Sequence, residues 1–334
     1  MQFIQSRRDF LASLSAAGAV GFSAGRVLAD EGPPEVTTLR LPYNTNICLA
    51  PGYVADDLLH AEGFSDIRHV ASSGGFAFPQ MAARGEIDLG ITFTASLVFH
   101  LDAGTPVTAL AGLHSRCYEL FVHEPIRTIG DLKGRSVAIQ SRSSSGHLYL
   151  AIMAAHVGLD PSQDINWLTP PAGAAMELFA DRRADAFLGF PPEPQELRER
   201  KVGRVILSTA TDKPWSQYIC CMLFGSRDFV RDHPVATKRA VRAILKAADM
   251  CAAVPESVAR GLVDGGYTER YDYALQTLTE VRYDRWREFD PEDAMRFYAL
   301  RLHEVGMVKS SPRQILADGT DWRFLDELRR ELKT

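Results

Sequence analysis

Two adjacent cysteines, Cys220 and Cys221, stand in the apolar run QYICCMLF. Thiols in such a place could ligate a metal, exchange disulfides, or fill a core as small hydrophobes. Cys48, Cys117 and Cys251 bring the total to five. The number is odd and no C-x-x-C occurs, so the spacing writes no disulfide framework. A bond between neighbours Cys220 and Cys221 would be strained, which leaves at most one distant pair. His114 and Cys117 have ligand-like spacing, but no second pair follows them, and neither a metal nor a cofactor is expected. The adjacent cysteines read as buried strand residues. No H-E-x-x-H, P-loop or G-x-S-x-G pattern is present. A Ser–His pair through His147 would lack an orienting acid and an oxyanion hole.

A different chemistry is written in hydroxyls. SRSSSGH (141–147) follows an apolar strand and opens a helix. Ser143, Ser144 and Ser145 thus offer hydroxyl and N–H groups at a helix N-terminus, where the dipole favours an anion. One serine suffices as a cap; three exceed that need. ASSGGF (71–76) and ITFTAS (91–96) repeat the context. Together the three helix starts outline a polar or anion-friendly pocket. Tyr43, Phe76, Phe78, Phe93, Tyr118 and Phe190 fall near the same strand ends. They would wall an organic solute or belong to the core. Arg116 and Arg142 would pair with an anion or stay solvated.

The elements that must position these residues alternate along the chain. Strands are predicted at TTLRLPY, DIRHVA, IDLGIT, VTALAGL, SVAIQ, DAFLGF and GRVILS. Helices fall between them, among them PGYVADDLLHAEG, GGFAFPQMAARGE, TASLVFHLDAG and SSGHLYLAIMAAHVG. Short apolar strands spaced by helices argue for parallel α/β sheets. Beyond about residue 226 the pattern is helical. The 334 residues are 46% hydrophobic and 24% charged, with a formal charge of −5. That is enough chain for two cores, and it carries no basic run for nucleic acid or an anionic membrane. SRRDFLA (6–12), followed by a weakly apolar stretch and VLAD, reads as a twin-arginine export signal cleaved after Ala29, which places the mature protein in the periplasm.

Four segments carry a family resemblance: GYVADDLLHAEGF, MAARGEIDLGIT, IGDLKGRSVAIQSRSSSGHLYLAIMAAHVGLDP and SRDFVRDHPVATKRAVRAILKAA. Over about residues 38–255 the chain resembles the nitrate/sulfonate/taurine class of ABC-transporter substrate-binding proteins. The resemblance implies a two-lobe periplasmic-binding fold of the type II kind with a helical C-terminal extension. Residues 34–123 plus 213–334 would form lobe 1 and 124–212 lobe 2. It implies ligand contacts from Tyr43 to Asn46, Ser72, Ser73 and Gly74, Thr92 to Thr94, and Ser143, Ser144, Ser145 and His147. Phe190 and Glu193 would add to these from GFPPEP, which is two residues longer than the family's segment. The implied role is a monomeric receptor that hands a small anion or heterocycle to a permease and ATPase. A sensor docked on a membrane receptor would share the fold. The superfamily also contains the thiamine-pyrimidine synthase, whose lysine for pyridoxal phosphate and sacrificial histidine would fall on Thr92 and Ser96. The synthase's cysteine-rich run for iron would fall on WSQYI (215–219), which has no cysteine. A non-enzyme is therefore expected.

Overall fold

The computed structural model describes residues 31–72 and 75–332. The export signal, Ser73 and Gly74 lie outside the described residues. Among the described residues ten strands form three sheets. β1 (Thr38–Tyr43) pairs in parallel with β2 (Asp66–Ala71). β3 (Leu89–Phe93) and β4 (Val107–His114) flank β10 (Cys221–Ser226), which runs antiparallel to both. The third sheet has the order β7-β6-β8-β5-β9, built from β5 (Glu119–Val122), β6 (Ser136–Ala138), β7 (Asn166–Leu168), β8 (Ala186–Gly189) and β9 (Arg204–Ser208).

The expected all-parallel sheets are corrected here. β6 is parallel to β7 and β8, but β5 is antiparallel to β8 and β9. The reason is topological. The chain passes from one sheet to the other through 115–118 and returns through 209–220. The strands that flank these two crossovers, β5 and β10, enter their sheets against the local strand direction.

Helices cover the sheets. α1 (Asp56–Ala61), α2 (Phe78–Ala83) and α3 (Thr94–Asp102) follow the early strands, with α4 (Ser145–His156), α5 (Ala175–Ala180) and α6 (Glu193–Glu199) in the middle segment. α7 (Arg227–Asp232), α8 (Pro234–Ala253), α9 (Pro255–Asp264), α10 (Tyr271–Glu280), α11 (Pro291–Glu304), α12 (Pro312–Gly319) and α13 (Arg323–Glu331) complete the chain. Several are shorter than the apolar periodicity suggests: the predicted helix at 51–63 keeps only α1, with a 3-10 turn at Ile47–Gly52 before it.

Every residue of β3 and β4 is buried, as continuous apolar runs covered on both faces must be. α8 buries Ala236, Ala240, Val241, Ile244, Leu245, Ala248 and Cys251 along one stripe. Its start combines Pro234 at the first turn with the Glu35 carboxylate, which accepts from the Val235 and Ala236 N–H groups (2.9 and 2.7 Å). The second crossover approaches β4 so closely that a Cβ on Gly112 would stand 2.3 Å from Ile219 Cδ1. Among the described residues no helix is long and apolar enough to cross a membrane.

Candidate functional site

The two crossovers meet at a buried centre. One face is aromatic. Phe93, ending β3, packs on Phe190 after β8 (4.9 Å between centroids) and on Tyr118 in the first crossover (5.3 Å). Tyr118 stacks at 4.5 Å on Tyr149 of α4, which in turn meets Tyr298 of α11 at 4.9 Å. Rings from both large sheets' surroundings therefore form one continuous wall.

Polar atoms line the same centre. Tyr149 donates its hydroxyl to the Cys220 carbonyl at 3.3 Å, and Thr94 donates to the carbonyls of Ile219 (2.8 Å) and Cys220 (3.0 Å). Others have no partner: the hydroxyls of Ser96 in α3, Ser115 and Tyr118 in the first crossover and Ser145 at the start of α4, with His114 Nε2 at the end of β4, are buried and unbonded. Ser145 neighbours Tyr118 without closing a hydrogen bond to it. Buried polar atoms are normally satisfied, so such a concentration marks a place built for a further binding partner or water.

Glu193 opens α6 beside this wall. One carboxylate oxygen accepts from the Phe190 N–H (3.1 Å), the other from Gln140 Nε2 (3.3 Å). Burial pushes its carboxyl up to about 8, against the pull of those two donors. It is mostly protonated at neutral pH and can act as a donor. Arg116 takes φ +78°, a strained choice for a non-glycine, in the first crossover. It lines a cavity of about 360 Å³ together with Tyr118, Gln195, Glu280 and Arg282.

Sulfur completes the centre. Cys48, Cys117 and Cys221 bring their Sγ atoms within 4.8 Å of one another, all buried. The pair His114 and Cys117, which had no sequence-adjacent counterpart, thus finds neighbours from far along the chain. Burial raises every one of these thiols. Hydrogen bonding with Cys117 and Cys221 overrides it at Cys48 and Cys220, which fall below the ordinary range, Cys220 to about 5. Cys117 and Cys221 are driven well above it.

The sequence-predicted contacts divide. Thr94, Ser145, Phe190 and Glu193 converge on this centre, and Thr92 is buried in β3 opposite Met222. Ser143 contacts the Ser141 hydroxyl at 3.2 Å, while Ser144 donates to the Ser141 carbonyl at 2.7 Å and folds the loop. His147 holds the same loop through Arg142 O (2.6 Å) and meets Trp167 edge-on. Burial lowers its pKa to about 4, so it is neutral at pH 7. Asn46 is buried, its N–H bonded to Asn44 Oδ1 (2.8 Å). Tyr43 and Ser72 join each other through the backbone, and Tyr43 packs against Tyr267 rather than on the aromatic wall. Sequence reasoning missed Ser115, Tyr149, Tyr298 and the meeting of the cysteines, because each is brought there by elements far apart in the chain rather than by a local motif.

The fold is that of the periplasmic binding proteins. The chain is similar to the periplasmic nitrate-binding protein NrtA from Synechocystis PCC 6803 (TM-score 0.79, 16% identity, covering 90% of each chain). It is also similar to the alkanesulfonate-binding protein SsuA from Xanthomonas axonopodis pv. citri, bound to MOPS (TM-score 0.71, 18% identity, covering 86% of this chain and 99% of that one). A third likeness is to the aliphatic sulphonate-binding SsuA from Escherichia coli (TM-score 0.67, 19% identity, covering 84% and 91%). No curated protein matches the sequence. The NMT1/THI5-like family signature matches residues 61–258, more than half of the chain, and the chain belongs to that family.

Proposed function

We propose that the chain is a non-enzymatic solute receptor that captures a small molecule between two lobes, 34–123 plus 213–334 and 124–212. It delivers the solute to a membrane importer of permease and ATPase. The observation that carries this reading is the group of unbonded hydroxyls, Ser96, Ser115, Tyr118 and Ser145, buried where the crossovers join the two sheets. A solute with oxygen acceptors would take hydrogen bonds from Tyr118, Ser145 and protonated Glu193, with its organic part against Phe93 and Phe190. The similar structures named for nitrate and sulfonate support an anionic acceptor of this kind. A solute that prefers the closed arrangement of the lobes supplies the free energy that closes them. Thr92 has no amine, so no Schiff base to pyridoxal phosphate forms there.

Native mass spectrometry of the protein purified from its own host tests the reading. A co-purified small anion, lost on Ser145→Ala, is expected. A pyridoxal phosphate adduct, trapped by borohydride on any lysine of the cleft, would overturn it. The same reading takes the mature chain to the periplasm as a monomer. Changing Arg7 and Arg8 both to Lys is expected to deplete it there on cell fractionation.

A further inference from the structure

Three thiols from three separate segments meet at the floor of the crossover. Cys48 lies in the turn Ile47–Gly52, Cys117 in the first crossover, and Cys221 at the first position of β10. Cys117 Sγ and Cys221 Sγ are 3.9 Å apart, and His114 Nδ1 stands 3.5 Å from Cys117 Sγ. We propose that Cys48, Cys117 and Cys221, with His114 as fourth donor, form a binding site for one thiophilic metal ion.

The spacing suits coordination. Thiolates on one tetrahedral zinc, each about 2.3 Å from the ion, stand about 3.8 Å apart, and a thiolate and an imidazole nitrogen about 3.6 Å. The measured Cys117–Cys221 and Cys117–His114 separations match both edges. Cys48 has to close in from within 4.8 Å, and His114, which touches Cys117 but stands outside the set of three sulfurs that lie within 4.8 Å of one another, has to turn toward Cys48 and Cys221. The same 3.9 Å is far from the roughly 2.05 Å of a disulfide.

The surroundings suit it too. The donors are fully buried or nearly so, and apart from Cys117 the cluster-facing Nδ1 of His114 has only a long contact to the Ser115 carbonyl (3.4 Å). Buried sulfur and imidazole donors gathered from separate segments gain a partner in common when a cation joins them. Soft thiolates select Zn²⁺ or Cu⁺ over hard cations such as Mg²⁺. Binding releases to water the protons that the thiols still hold, so affinity rises with pH. The ion would tie the turn after β1 to both crossovers. The site stands independently of the solute reading, because its donors are not the proposed solute contacts.

The test uses the whole mature chain, reduced and stripped with a chelator. Zn²⁺ is titrated against a chromophoric chelator and Cu⁺ against bicinchoninate. Co²⁺ serves as the optical probe. The expected result is one equivalent of Zn²⁺ or Cu⁺ and a thiolate-to-cobalt charge-transfer band. Cys117→Ser and Cys221→Ser should each weaken binding by about 100-fold or more. Cys251→Ser, at a buried free thiol outside the cluster, should bind as the wild type does. His114→Ala separates the two ions: about 10- to 100-fold weaker Zn²⁺ binding with Cu⁺ spared means a trigonal sulfur site for copper. If the serine variants fail to fold, a metal-dependent rise in melting temperature in wild type and Cys251→Ser carries the test. Absence of stoichiometric binding of both ions would overturn the proposal. So would equal binding by Cys117→Ser, or a Cys117–Cys221 disulfide in peptide maps of protein isolated without reductant.

Discussion

The outer groove and the crossover centre are both rich in polar groups, yet they differ in how those groups are satisfied. The outer groove, about 1000 Å³, is lined by Glu35, Arg40, Asp88, Asp228 and Asp232. Each of its four carboxylates is paired. Asp88 binds the Arg40 guanidinium at 2.5 Å and its N–H at 2.7 Å, Glu35 caps α8, and Asp228 and Asp232 both hold Arg231 at 2.7 Å. Among its buried side-chain atoms only His233 Nδ1 has no partner. In the crossover centre, by contrast, four hydroxyls are buried without partners. Volume measures where solvent fits; unmet hydrogen bonds measure where a ligand adds free energy. By this criterion the groove reads as structural, and the centre is the site we propose for the solute.

The contrast predicts opposite responses to substitution. The largest effect on stability belongs to the groove. Asp88→Ala leaves the Arg40 N–H without a partner and its guanidinium with only the Gly85 carbonyl, and is expected to cost about 2–3 kcal/mol in urea denaturation. Solute-induced stabilisation should be unchanged. Loss of solute binding on Asp88→Ala, with the fold intact, would move the site to the groove.

Ser145→Ala reverses the pattern. Its hydroxyl has no partner to lose, so apo stability should stay within about 0.5 kcal/mol of wild type. Affinity for the co-purified solute should fall about 5- to 150-fold, the equivalent of about 1–3 kcal/mol. A clear drop in apo melting temperature with affinity kept would make Ser145 a structural residue.

Glu193 sharpens the comparison through pH. Its folded pKa, about 8, lies above the ordinary carboxyl value of 4.5. Its contribution to stability is therefore complete below pH 4.5 and is lost as pH rises through about 8. Glu193→Gln should match wild type near pH 4, then gain on it with rising pH, by about 1–2 kcal/mol at pH 9 after allowance for partial exposure. Thermal melts from pH 4 to 9 decide this; a constant difference would mean that Glu193 ionises normally.

Ser144→Ala gives the smallest effect. Its hydroxyl ties the loop to the Ser141 carbonyl at the start of α4. A loss of about 1 kcal/mol in apo stability with solute affinity spared is expected from urea titration.

Much of the fold is legible in the sequence because its signals are local. DIRHVA forms β2 with the predicted ends, and VTALAGL lies within β4. β5 is not legible: ELFV is four residues without turn punctuation, and its antiparallel pairing with β8 and β9 is decided by the crossover before it. The reading of Cys220 and Cys221 as buried strand residues agrees with their burial, Cys221 inside β10 and Cys220 just before it. Their neighbours were not legible. Cys117 and Cys221 are 104 positions apart, so no ligand spacing announces them. The SSSGH run shows more hydroxyls than one cap needs, but not which serine caps and which stays free. The structure gives them different work, because the loop turns Ser144 back on Ser141 and leaves Ser145 facing Tyr118.

Hydrogen–deuterium exchange tests the difference between groove and centre most directly. The protein is compared with and without the solute identified by native mass spectrometry. Slowed exchange is expected at 44–48, 93–97, 115–119 and 141–149, with 35–40 and 226–235 unchanged. Protection confined to 35–40, 84–88 and 226–235 would contradict the assignment and make the outer groove the binding site.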